Sequence, residues 1–154
     1  MRRWFLHPWL TLRAPLALGA VFLAAALPKI ADPPAFAKAI WAYRLFPGAG
    51  VHAAALLLPW LELLCGLALI LGVKVREAAS WTMVLLLAFL LSLSVDLARG
   101  VPVDCGCFGP GHPQRTREER LAAMRLDLLR DLGLLLLALQ VLAANGTRKS
   151  TEQR

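Results

Sequence analysis

The sequence predicts an all-α membrane protein: a bundle of four transmembrane helices with a short interfacial helix between the first and second spans. Three observations predict it. Apolar residues make up 58% of the 154-residue chain and charged residues only 18%, against about 45–50% and about a quarter in a soluble domain. The apolar residues gather into four long blocks, at about residues 14–30, 51–73, 78–95 and 128–144. A helix needs roughly 17–25 residues to cross a hydrocarbon core about 30 Å thick. The blocks are rich in Leu and Ala and do not alternate in polarity, which favours helices over the strands of a membrane barrel.

Length allows one domain, and the blocks place it at residues 14–144. Residues 1–13 precede it as a cytoplasmic or interfacial lead-in, with Trp4 and Trp9 at headgroup level. Arg2-Arg3 and the small residues Ala24 to Ala26 imitate an export signal with a cleavage site. Pro8, Arg13 and Pro15 interrupt the clean apolar core such a signal needs, so the first block is read as a retained span.

After the first span, Asp32-Pro33-Pro34 suits the first turn of a helix. Phe36, Ile40 and Tyr43 then fall on one helical face. A short helix lying at the membrane surface is expected, ending near Pro47-Gly48. The loop from Arg99 to Pro113 is rich in Gly and Pro. Beyond it, Thr116 and Glu119 have the spacing of a capping box, and a helix starting there should run on into the fourth span. Residues 145–154 are polar and are expected to be a disordered cytoplasmic tail.

The net charge of +7 does not point to nucleic acid, because the basic residues flank the apolar blocks, where they meet lipid headgroups. Four spans put both termini on one side. Eight Lys and Arg fall on that side and nine on the other, so positive charge does not orient the bundle.

Cys105 and Cys107, separated by Gly106, are the strongest chemical signal. Two of only three cysteines lie two positions apart in a glycine-rich loop. A disulfide between them would close a very small, strained ring, and strained disulfides are readily reduced. That suits a pair that passes electrons. His112 as an imidazolium would favour the reactive thiolate, and Asp104 would oppose it. A metal site would need Cys65, His52 or His112 to complete four ligands, and no metal is assigned. A structural pair is the other alternative. A pair that cycles through a disulfide belongs in an oxidising compartment, which puts this loop outside and the termini in the cytoplasm.

Glu62 falls near the middle of the second span, where a charge costs about 2.5–3.5 kcal/mol on insertion scales. It should face the bundle interior. Pro59 can kink the helix before it, and Cys65 follows on the same face. Two uses are open: a polar pocket for a proton or a quinone, and an ion pair with Lys29 or Arg130 that joins helices. Asp96, Arg99, Arg130 and Asp131 are expected at the outer interface, near the cysteine loop.

These residues resemble the MauE/DoxX group of redox-associated membrane proteins, the MauE branch in particular. The matching stretches are Lys29-Ile30-Ala31-Asp32-Pro33 with Phe36 and Tyr43, Leu58-Pro59-Trp60-Leu61-Glu62-Leu63 with Gly66, Cys105-Gly106-Cys107-Phe108-Gly109, and Arg130-Asp131-Leu132. The charged stretch Arg115 to Arg120 has no counterpart in that pattern. The resemblance implies a four-helix protein of the bacterial inner membrane, linked to maturation of the disulfide-rich small subunit of methylamine dehydrogenase and acting with a periplasmic thioredoxin-like partner. Periplasmic thiol-disulfide exchange through Cys105 and Cys107 is the function expected, with Glu62, Pro59, Cys65, Lys29, Asp104, His112, Arg130 and Asp131 in support. A quinone is the one cofactor considered. The alternative is a non-catalytic anchor or assembly subunit of a quinone-linked oxidoreductase.

Overall fold

A computed structural model describes residues 8–42, 48–100 and 116–152 of the chain. These residues form five helices: α1 (Pro8–Ala31), α2 (Pro33–Ala42), α3 (Gly48–Leu71), α4 (Val75–Ala98) and α5 (Arg117–Glu152). No strand occurs among the described residues. The cysteine loop, with Asp104, Cys105, Cys107 and His112, lies outside them, as do Tyr43 and Arg44.

Three helices are long and apolar enough to cross a membrane: Arg13–Ala31 in α1, Gly50–Leu71 in α3 and Val75–Ala98 in α4. Their outward faces confirm the solvent they are built for. Leu56, Leu57, Trp60, Leu64, Leu67 and Leu71 stand exposed along α3, and Trp81, Val84, Leu87 and Leu91 along α4. In water such a surface would be an aggregation site; in lipid it costs nothing. The protein is therefore a membrane protein with at least these three candidate spans. The fourth expected span, in α5, is not among the candidate spans found in the described residues.

The helices close into a ring of neighbours. α1 packs on α3, α3 on α4, α4 on α5 and α5 back on α1. α1 and α3 are antiparallel and cross at two glycines. A Cβ built on Gly19 would lie 2.7 Å from the Gly66 carbonyl oxygen, and one on Gly66 would lie 2.9 Å from the Gly19 carbonyl oxygen. Only glycine allows backbones this close, a recurrent device between membrane helices. α3 and α4 are joined by a tight turn in which Gly72 (φ 69°) and Lys74 (φ 47°) adopt left-handed conformations. The strain at Lys74 is the exception, since a Cβ disfavours that region.

α5 runs antiparallel to α4 along its length. Met124 packs with Leu93 near the start of α5. Ala138 and Val141 share a core cluster with Ala78, Ala79, Ala14, Leu18 and Leu69 at the other end. The capping box forms as the spacing predicts: the Thr116 amide donates to Glu119 Oε2 at 2.9 Å, and the Glu119 amide donates to Thr116 Oγ1 at 3.3 Å.

Three expectations need correction. Helix α1 begins at Pro8, inside the predicted lead-in, and carries Pro15 and Pro28 without ending. Helix α5 continues to Glu152, where polarity predicted a tail without structure. Once a helix is nucleated each further residue adds one hydrogen bond, so a polar sequence can extend it. Arg130 and Asp131 do not lie at the outer end with Asp96 and Arg99. They share a cavity with Leu86 and Phe89, and Leu86 is midway along the α4 span. The helix starts at Arg117, so residue 131 is already four turns deep when α5 lies against α4.

Helix α2 forms where a short helix was expected, with Phe36 and Ile40 on its buried face. The Ala35 amide donates to Asp32 Oδ1 at 3.0 Å, an N-cap directly before Pro33 at the first helical position. Phe36 and Ile40 are buried against Val51 and Ala55 of α3. Pro59 lies inside α3 and is fully buried there.

Candidate functional site

The conspicuous site among the described residues is a charge cluster buried in the bundle. Lys29 Nζ lies 2.7 Å from both carboxylate oxygens of Glu62. Lys29 is 2% exposed, Glu62 3% and Asp131 4%. The pairing follows from the glycine crossing. From it, Lys29 lies ten residues further along α1, about 15 Å of rise, and Glu62 lies four residues back along α3, about 6 Å. Side chains lean toward the N-terminus of their own helix. In antiparallel helices the lysine and the glutamate therefore lean toward each other and close the difference.

Aromatic rings complete the lysine's surroundings. Nζ lies 4.8 Å from the centre of the Phe89 ring and 5.1 Å from that of Phe36. Both are within the reach of a cation–π contact, which strengthens when water is excluded. Phe36 comes from α2, so the short helix between the first two spans contributes to the site.

Asp131 approaches from α5, within electrostatic reach of both Lys29 and Glu62. Arg130 Nη2 and Nε donate to Asp131 Oδ1 at 3.0 and 3.2 Å. Arg130 Nη1 also lies 3.1 Å from Asp127 Oδ1. Arg130 and Asp127 are 29% and 24% exposed in their side chains, so they form the outer layer of the cluster. α4 contributes no charge here, only Leu86 and Phe89. A cavity of ≈ 30 Å³ joins Lys29, Glu62, Arg130 and Asp131 to Val21, Phe22 and Ala25 of α1. Small-molecule sites are about 300 Å³ or larger, so a quinone ring does not fit between these side chains. About 10–15 Å³ suffices for one water molecule.

Cys65 is buried one turn from Glu62, within electrostatic reach of Thr82 and Glu62. Among the described residues, no three His, Cys, Asp or Glu side chains are placed to hold a metal ion. Asp96 is also buried, with Arg99 4.0 Å away and its Oδ2 unpartnered. It sits at the end of α4, near where the cysteine loop begins. There Arg117 Nη2 donates to the Gly100 carbonyl at 3.0 Å, which ties together the two ends of the 101–115 segment.

Of the residues singled out by sequence, Lys29, Glu62, Arg130 and Asp131 come together. Cys65 and Pro59 lie on the same helix as Glu62, and Asp104, Cys105, Cys107 and His112 fall outside the described residues. Phe89, Gly19 and Asp127 were missed. Asp127 was legible, since it stands three residues before Arg130 on the same helical face. Phe89 and Gly19 carry no local signal of their role.

The family described as methylamine utilisation protein MauE matches residues 7–144. The chain is 37% identical over 101 residues to the methylamine utilization protein MauE of Methylophilus methylotrophus, covering 65% of this chain and 53% of that one. It is 36% identical over 92 residues to the protein of the same name from Methylorubrum extorquens, covering 59% and 50%. For the one from Paracoccus denitrificans the figures are 30% over 115 residues, 74% and 62%. The aligned part thus spans about half the length of the first two relatives. No solved structure matches the chain.

Proposed function

This chain belongs to the MauE family, and from that premise we propose that it is a four-span protein of the bacterial inner membrane that exchanges disulfides in the periplasm through Cys105 and Cys107. Its partner is a periplasmic thioredoxin-like protein. The process it serves is the maturation of a disulfide-containing periplasmic protein, of which a methylamine dehydrogenase small subunit is the example that fits the relatives' names. In each exchange one dithiol gives two electrons and two protons to the other partner's disulfide, so one S–S bond forms as one opens.

One observation carries the reading. The segment holding Cys105-Gly106-Cys107 is anchored at both ends by the hydrogen bond from Arg117 to Gly100, where α4 ends and α5 begins. The antiparallel packing puts that anchor at the same end of the bundle as the α1–α2 junction. A dithiol in the segment that joins these two helix ends would serve a partner in one aqueous compartment, and the oxidising one suits it. The fourth crossing is supported by α5 itself. It follows α4 from Met124 to Val141, and Leu126, Leu129, Leu132, Leu136 and Leu139 are exposed along it. Of its charged residues, Asp131 is buried in the bundle, where an intramembrane carboxylate is expected, and Arg130 and Asp127 are partly exposed beside it.

The test is trapping. In membranes of cells producing Cys107→Ser, Cys105 is expected to hold a partner in a mixed disulfide that a reductant releases. The reverse variant identifies the attacking thiol if the first gives no adduct. If neither variant traps a protein and both support maturation of the periplasmic substrate, the chain is instead a non-catalytic anchor or assembly subunit.

A further inference from the structure

We propose that the buried Lys29–Glu62–Asp131 cluster holds one exchangeable proton, carried by one of its two carboxylates, at the mid-depth of the bundle. The inference concerns this site alone and does not rest on the cysteine chemistry.

The argument is one of charge and position. Lys29, Glu62 and Asp131 are each less than 5% exposed, and they come from three helices. The lysine is fully committed to Glu62, with both carboxylate oxygens at 2.7 Å. That pair alone would be neutral and complete. Asp131 adds a second buried carboxylate to the same cavity. Its cation, Arg130, reaches it from the partly exposed side and divides its guanidinium between Asp131 and Asp127. The other groups near the cluster are the Cys65 thiol, one turn from Glu62 on α3, the rings of Phe36 on α2 and Phe89 on α4, and Leu86. Two carboxylates sharing one site favour one protonated and one ionised form. A proton is the neutralising ligand that fits. The cavity is far too small for an organic ion and has room for a water or two, which can pass a proton between the polar side chains that line it. Carboxylates buried in membrane bundles serve as proton relays for this reason.

Infrared spectroscopy of the whole protein in lipid nanodiscs tests it. The wild type is expected to show the carbonyl stretch of a protonated, buried carboxylic acid at neutral pH, shifting on exchange into heavy water and disappearing as pH is raised. Asp131→Asn and Glu62→Gln should each remove that band, since either leaves one carboxylate with a full cation. Lys29→Met should strengthen it. Asp96→Asn, which alters the other buried carboxylate, should leave it in place. The wild-type spectrum needs no variant to fold: a spectrum with no exchangeable acid band overturns the proposal. So does a band that survives both Asp131→Asn and Glu62→Gln, and so does a band abolished by sodium at constant pH, which would make the site a metal-cation site.

Discussion

Lys29 and Glu62 stand 33 residues apart in sequence and meet at 2.7 Å through both carboxylate oxygens, in a contact from which solvent is almost fully excluded. The pair ties the end of the first span to the middle of the next. Removing one partner of a buried pair costs about 3–5 kcal/mol in comparable cases; Asp131, in the same cavity, offsets part of that for Lys29 when Glu62 is the residue replaced. Lys29→Met and Glu62→Gln should each lower the unfolding midpoint in bicelles. The double variant Lys29→Met/Glu62→Met should recover much of the loss, because it leaves no orphaned charge. Single variants as stable as the wild type would remove the pair from the account of the fold.

The glycine crossing predicts a contrast among small substitutions. A Cβ on Gly19 would meet the Gly66 carbonyl at 2.7 Å, so Gly19→Ala must push α1 and α3 apart. Overpacking of this kind costs about 1–3 kcal/mol. Gly133 in α5 has nothing within 4 Å of its would-be Cβ. Gly133→Ala should be neutral or stabilise by about 0.5–1 kcal/mol through helix propensity. Thermal melts of the two variants side by side decide it; equal effects would show that the crossing is not as close as described.

Both polar helix starts should be worth a cap. Thr116→Ala loses the bond to the Glu119 amide, and Asp32→Ala loses the one to the Ala35 amide. Each should cost about 1 kcal/mol, seen as faster amide exchange in the first turn of α5 or α2. Asp32→Asn, which keeps a capping oxygen, should exchange as slowly as the wild type.

Topology can be read chemically. In a background with Cys65, Cys105 and Cys107 replaced by Ser, Arg99→Cys is expected to react with an impermeant thiol reagent added to intact cells with permeabilised outer membranes. Arg76→Cys, at the opposite end of α4, should react only after the inner membrane is opened. The inverse pattern would put the cysteine loop in the cytoplasm and remove the compartment argument for redox exchange.

Much of this was legible in the chain because it depends on short-range chemistry. Three candidate spans, the α2 cap and face, and the Thr116–Glu119 box all follow from block length, periodicity and local spacing. Glu62 could be marked as a residue facing the bundle interior, since a charge in an apolar block has few other places to go. Depth could not be read in the same way. Arg130 and Asp131 look like the polar edge of a span when hydropathy is scanned along one helix. Their place at mid-depth follows from where α5 starts and how it slides along α4.

By itself, then, the sequence determined that this protein lives in a membrane as helices, and it singled out the residues too polar to face lipid. Which of those residues meet was decided by the tertiary structure alone. Two glycines bring α1 and α3 into backbone contact, and that single crossing sets the register in which Lys29 reaches Glu62. Helix α5 then carries Asp131 to the same level. Hydropathy is a property of each segment, whereas register is set by the packing of one segment against another.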